Sequence, residues 1–203
     1  MFLLKDDNYD YKNFIETIGM PASGKSTLVK NMMKDKTEYI NVNARYSNNK
    51  HYRKIEKILN ASILFIKHPM MVISDTKIII SSGQRTLKDL YSVLLNWLVI
   101  IYTSTINKDK NKVYIWDQGI FQAIWSIYFS GTKEFDYIKL LKNKNLPYKI
   151  YLIDVNDEDL ARRASNRGSQ MRLDYDNNVC LKRGRVALEK TIQTIKDIGY
   201  IEC

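Results

Sequence analysis

The chain has 203 residues, 45% of them hydrophobic, with only 8 glycines and 3 prolines. That is enough for one domain with a sizeable core, and it excludes a disordered or low-complexity protein. The net charge of +10 directs attention to anionic partners, but the basic residues are scattered among Asn and Asp and do not form the contiguous tract of a nucleic-acid footprint.

In chain order, residues 1–13 read as a polar lead-in with Phe2 to Leu4 docked on the body. Phe14 to Ile18 is short, aromatic and β-branched, and predicts a strand. The next residues, Gly19 to Thr27, end in a helix whose apolar positions are Leu28, Val29, Met32 and Met33. Glu38 to Asn43 alternates and predicts a second strand, followed by a loop over 44–50. A helix is expected from His51 to Ile66, stopped by Pro69. Residues 70–83 are ambiguous, because Ile78-Ile79-Ile80 is strand-like yet lies between helical patterns. Thr86 and Asp89 predict a cap for a helix reaching Ile106. Its apolar run, Val93 to Tyr102, reads as a buried helix too short to span a bilayer, and it permits a subunit interface, hence a homodimer. Lys112 to Asp117 predicts a strand, 120–129 and 134–142 helices, Pro147 to Val155 a buried strand, 158–167 and 180–198 helices, and 199–203 a short final strand. Strands alternating with helices predict an α/β fold: a parallel sheet covered on both faces, in one domain over 1–203. Cys180 and Cys203 lack partners at metal-ligand spacing, so free thiols in a reducing, cytoplasmic setting are expected.

Three stretches carry chemistry. Gly19-Met20-Pro21-Ala22-Ser23-Gly24-Lys25-Ser26, followed by Thr27, fits the phosphate-loop pattern G-x-x-x-x-G-K-[ST]. Two glycines let consecutive N–H groups face one concavity, and a helix starting near Gly24 adds its positive end. Lys25 brings a full charge to the outer phosphates of a nucleotide, and the Ser26 hydroxyl is a candidate Mg²⁺ ligand. Asp117 closes a hydrophobic strand at its carboxyl end, where open parallel sheets place ligands, and suits either the metal or a proton from an attacking hydroxyl. The alternative is a cap on the following helix. Gln118 and Gln122 stand about one turn apart as candidate acceptor-binding amides. The third stretch is Arg162 to Arg172. Arg163 and Arg167 share a helix face, and Arg172 follows Gly168. Guanidinium groups suit the charge that spreads over a phosphoryl group in transfer, against the alternative of a basic solvated helix.

These motifs together, GMPASGKST at 19–27, the strand-end WDQG and RRASNRGSQMR at 162–172, resemble the P-loop kinases of the nucleoside monophosphate kinase type, especially thymidylate kinase and the deoxynucleoside kinases. The resemblance implies a three-layer αβα P-loop fold with a five-stranded parallel sheet, ATP as donor, Mg²⁺ and an arginine-rich lid over about 156–178. It puts Arg45 near an acceptor-phosphate arginine. Where such kinases often carry Arg after the strand-end acid, this chain has Gln118. Arg53 and the Gln84-Arg85 pair are further acceptor candidates that read first as surface residues. The function expected is ATP-dependent phosphorylation of a nucleotide or nucleoside-like small molecule. The alternatives are a kinase for a sugar or another metabolite, or a P-loop ATPase or GTPase without such an acceptor. Asn107-Lys108-Asp109 is not the guanine motif N-K-x-D, and WDQG lacks the paired acids of a motor.

Overall fold

The computed structural model describes residues 2–5, 14–34, 38–47, 49–106, 109, 111–165 and 178–202. Its strands are β1 (Phe2–Lys5), β2 (Phe14–Gly19), β3 (Tyr39–Asn41), β4 (Val113–Trp116), β5 (Lys149–Ile153) and β6 (Tyr200–Glu202). They form one six-stranded sheet in the order β3-β4-β2-β5-β1-β6. The four neighbours β3, β4, β2 and β5 are mutually parallel, and the central β2 sets Glu16 beside Trp116 on one side and Ile150 on the other.

The expectation of a purely parallel five-stranded sheet is corrected here: the sheet has a sixth strand, β1, inserted between β5 and β6. β1 runs antiparallel to both β5 and β6 and is wedged between them. Phe2 to Leu4 therefore pairs inside the sheet instead of docking on its outside. A four-residue strand carries too little periodicity to be recognised locally; two flanking ladders supply what its own pattern does not.

The helices are α1 (Lys25–Met33), α2 (Lys50–Lys67), α3 (Pro69–Ser81), α4 (Leu87–Ile106), α5 (Ile120–Ser130), α6 (Tyr137–Leu141), α7 (Asp157–Ser165) and α8 (Asn178–Asp197). Strand alternation sorts β2 into two faces. Ile15 packs with Val29 of α1 and Ile115. Phe14 and Ile18 face the larger core with Trp97 of α4, Phe121 and Ile124 of α5, and Ile195 of α8. Within that core Phe14 stacks on Trp116, ring centroids 4.6 Å apart.

Pro69 does not simply end a helix. It occupies the first turn of α3, directly after the break at His68, where its missing N–H costs nothing. The ambiguous stretch 70–83 resolves as helix through Ser81, with Ile78 and Ile79 buried and Ile80 exposed. Thr86 caps α4 as expected, its hydroxyl accepting the Asp89 N–H at 3.0 Å. Helix α4 runs to Ile106 as expected, and among the described residues it is the one helix long and apolar enough to cross a membrane by length and composition alone. It packs against α2, α3 and α5 and buries Val93, Trp97, Val99 and Ile101. Tyr52, Ile55 and Leu59 of α2 remain exposed.

Candidate functional site

The residues from Gly19 to Ser26 join the end of β2 to α1 through a tight loop. Gly24 is the N-cap of α1 with φ 105°, a left-handed conformation that favours glycine, and Ala22 adopts φ 65°. At Gly19 a side chain is excluded by contact: a Cβ there would lie 2.5 Å from the Ile153 carbonyl oxygen. The loop is closed by the Ser23 N–H bond to the Met20 carbonyl, 3.1 Å. No acidic residue occupies the first turn of α1, so the positive end of that helix is not neutralised by its own side chains. Among the described residues, the buried Ser23 hydroxyl has no hydrogen-bond partner. Lys25 is itself buried, and its ammonium donates to the carbonyl oxygens of Gly19 and Met20 at 2.8 and 2.9 Å.

Two sequence-distant candidates converge on this loop. Asp117 follows β4, and its Oδ2 accepts the Ser26 hydroxyl at 2.5 Å. Arg163, on α7, donates from Nη1 to the Ser23 carbonyl oxygen at 3.0 Å. Its neighbour Arg162 turns outward and pairs with Asp159. Arg167 and Arg172, and with them most of the expected lid, lie outside the described residues. Arg45 falls in the 3-10 turn Val42–Arg45, and its side chain is outside the description.

Gln122 is buried and its Oε1 accepts the Gly19 N–H at 3.3 Å, so its carbonyl end serves the loop; Gln118 is exposed. Both line two adjoining cavities. One, of about 240 Å³, is bordered by residues 21–26 and by Trp125 and Phe129. The other, of about 290 Å³, is bordered by Asn43, Tyr46, Arg53, Lys57, Val99 and Ile100. Asn96, Asp117, Gln118, Gln122 and Ser126 belong to both. Asp117 thus stands on the border between a chamber built on the glycine loop and a chamber built on α2 and α4.

The structure adds residues that sequence reasoning missed. Glu16 is fully buried beneath this border, and burial pushes its carboxyl up to about 7 against the pull of four backbone amides. Its signal was an acid inside an otherwise apolar strand. Lys57 donates to the Asn96 side chain at 3.0 Å, and its ammonium is held below the usual lysine range by burial, then by Arg53. Arg53, an acceptor candidate that reads first as surface, is exposed and lines the second cavity. Arg183 of α8 lies 4.4 Å over the Phe129 ring, which stacks in turn on Trp125 at 5.0 Å. Gln84 is drawn away from the site: it bonds Ser82 and the Ile127 carbonyl.

For a metal, the oxygens of Ser26 and Asp117 form a hard donor pair of the kind Mg²⁺ takes. Among the described residues no group of three or more His, Cys, Asp or Glu could hold an ion by itself. Mg²⁺ fits such a sparse set because it ordinarily completes its shell with phosphate oxygens and water. A scan against protein-family models finds no match, and no curated protein matches the chain.

Proposed function

We propose that the chain is an ATP-dependent small-molecule kinase with a P-loop fold, transferring the γ-phosphate of ATP to a nucleotide-like acceptor. The observation that carries this is the meeting of Ser26 and Asp117 at 2.5 Å, beside Lys25 and on the border of two chambers. The N–H groups of the loop and the N-terminus of α1 would bind the polyphosphate, with Lys25 on its outer oxygens. Ser26 and Asp117 would hold Mg²⁺, which when bound neutralises charge on the phosphates. Arg163, already at the loop, would meet the negative charge that develops on the transferred group.

In the transfer, an acceptor oxygen forms a bond to the γ-phosphorus while the bond to the ADP oxygen breaks. A hydroxyl acceptor gives up its proton, for which Asp117 is the available base. On the acceptor side, Arg53 and Lys57 line the second chamber. Among the described residues neither has a carboxylate partner within ion-pair distance. Two neighbouring cations favour an acceptor that carries negative charge itself, hence a nucleotide over a nucleoside.

The test is a panel of matched acceptors presented with ATP and Mg²⁺: nucleosides, their monophosphates, and sugars with and without phosphate. A phosphorylated product is expected from the monophosphates. Transfer should fall at least about 100-fold in Lys25→Ala while the fold is retained. Near-normal transfer by that variant would refute the assignment of Lys25.

A further inference from the structure

Glu16 lies three positions before Gly19, on the same face of β2 as Phe14 and Ile18, and has no exposed surface. A carboxylate in such a place needs a proton or several donors. The donors are the first amides of α5. The Phe121 N–H reaches Oε2 at 3.1 Å and the Gln122 N–H reaches Oε1 at 2.8 Å; the amides of Gly119 and Ile120 also favour its charged form. The approach is close enough that a Cβ on Gly119 would sit 2.6 Å from the Glu16 carboxyl carbon, so a side chain there would have to displace the carboxyl group. Gln122 returns the contact by accepting the Gly19 N–H. The bonds close a circuit from β2 through Glu16 to α5, and back through Gln122 to the loop. Asp117 and Gln118 are the two residues that span from the end of β4 to Gly119.

We propose that Glu16 is a positioning residue: its carboxyl group docks the N-terminus of α5 on β2 and so sets where Asp117, Gln118 and Gln122 stand relative to the glycine loop, the ionised and protonated forms holding that helix end differently. An ionised carboxylate accepts more N–H bonds than a carboxylic acid and complements the positive helix end, whereas the acid gives up part of both. Among the described residues, no charged side chain contributes to holding the ionised form. Trp116 and Ile150 flank Glu16 on β4 and β5. The next ionisable groups along the packed elements are Asp117 after β4, Lys149 and Tyr151 on β5, and Lys25, which bonds the Gly19 and Met20 carbonyls. With burial opposed by amides alone, both protonation forms are populated near neutrality. The kinetic consequence rests on the kinase proposal; the docking itself does not.

The experiment follows the amide resonances of Gly19 and of Gly119 to Gln122 in the ¹⁵N-labelled full chain from about pH 5 to about pH 9, alongside Glu16→Gln, with transfer measured on the same samples. In the parent chain these amides should titrate together with a midpoint near 7, and in Glu16→Gln they should not. The variant should lose about ten-fold in kcat, and its kcat should lose the inflection near neutrality, while ATP affinity changes less than about two-fold. Amides that do not titrate in the parent chain overturn the proposal without any variant having to fold. Equal titration in Glu16→Gln, or an unchanged kcat profile in an active variant, also overturns it. Titrating amides in a chain that phosphorylates none of the acceptors would leave the docking standing and remove the kinase assignment.

Discussion

Asp117 and Ser26 come from segments 91 residues apart and share one hydrogen bond, so each is exposed to the loss of the other. In Asp117→Asn the side chain keeps its shape and still accepts the serine hydroxyl, but a neutral amide is a poor magnesium ligand. Transfer is expected to fall at least about 100-fold, and added Mn²⁺ to recover only part of it; a variant with parental activity at the same Mg²⁺ concentration would exclude Asp117 from the metal site. Glu16 makes a second prediction at this scale. Burial lifts its carboxyl in the folded chain to about 7, above the ordinary value of 4.5. Between those values the folded chain holds a proton that the unfolded chain has released. Its contribution to stability is therefore complete below about 4.5 and is lost as pH rises through 7. The difference is about 3 kcal/mol. Thermal melts should show Glu16→Gln flattening the decline in stability between these pH values; a parallel decline in the variant would place the dependence elsewhere.

At the scale of elements, the helices on the α4 side are joined by a buried ion pair. Asp75 of α3 accepts from the Trp97 indole of α4 at 2.9 Å and pairs with Lys144, just past α6, at 3.0 Å. Burial raises the Asp75 carboxyl, and Trp97 and Lys144 act against it. Removing one partner strands the other charge, so Lys144→Met should cost about 3–5 kcal/mol, whereas Lys144→Met with Asp75→Asn should recover much of that. Denaturant melts of the two variants decide it: a double variant no more stable than the single one would contradict a stranded charge as the cause. On the other side, Arg185 of α8 fastens the entry to α7 by pairing with Asp154 at 2.5 Å and Asp157 at 2.7 Å. That anchors the helix from which Arg163 reaches Ser23. Arg185→Ala should raise hydrogen exchange over 157–165 with little effect on β2 and β4, and unchanged exchange there would show that α7 is held by its apolar contacts, such as Leu160, alone.

For the whole molecule, what could be read from sequence was what local pattern encodes. The glycine loop between β2 and α1, Asp117 at the end of β4 and the β5–α7 unit are each one strand with its following turn, and their spacing is set by backbone geometry. What could not be read depends on distant partners. β1 owes its strand to β5 and β6. Ile78-Ile79-Ile80 has no helical stripe, because Ile78 and Ile79 are buried and Ile80 is apolar but exposed. Arg53 and Lys57 gain meaning only when α2 and α4 close a chamber around them, and Glu16 only when α5 delivers its amides. Each of these depends on the assembled sheet and its flanking helices, the same assembly that brings Ser26 to Asp117 and Arg163 to Ser23.

The most direct measurement is calorimetric titration of the full chain with ATP, with and without Mg²⁺, for the parent and for Lys25→Ala. A triphosphate site at the 19–26 loop requires saturable one-to-one binding with a Kd of about 1 mM or tighter that strengthens with Mg²⁺ and weakens about 100-fold or more in the variant. Absence of ATP binding, or equal affinity in parent and variant, would contradict it.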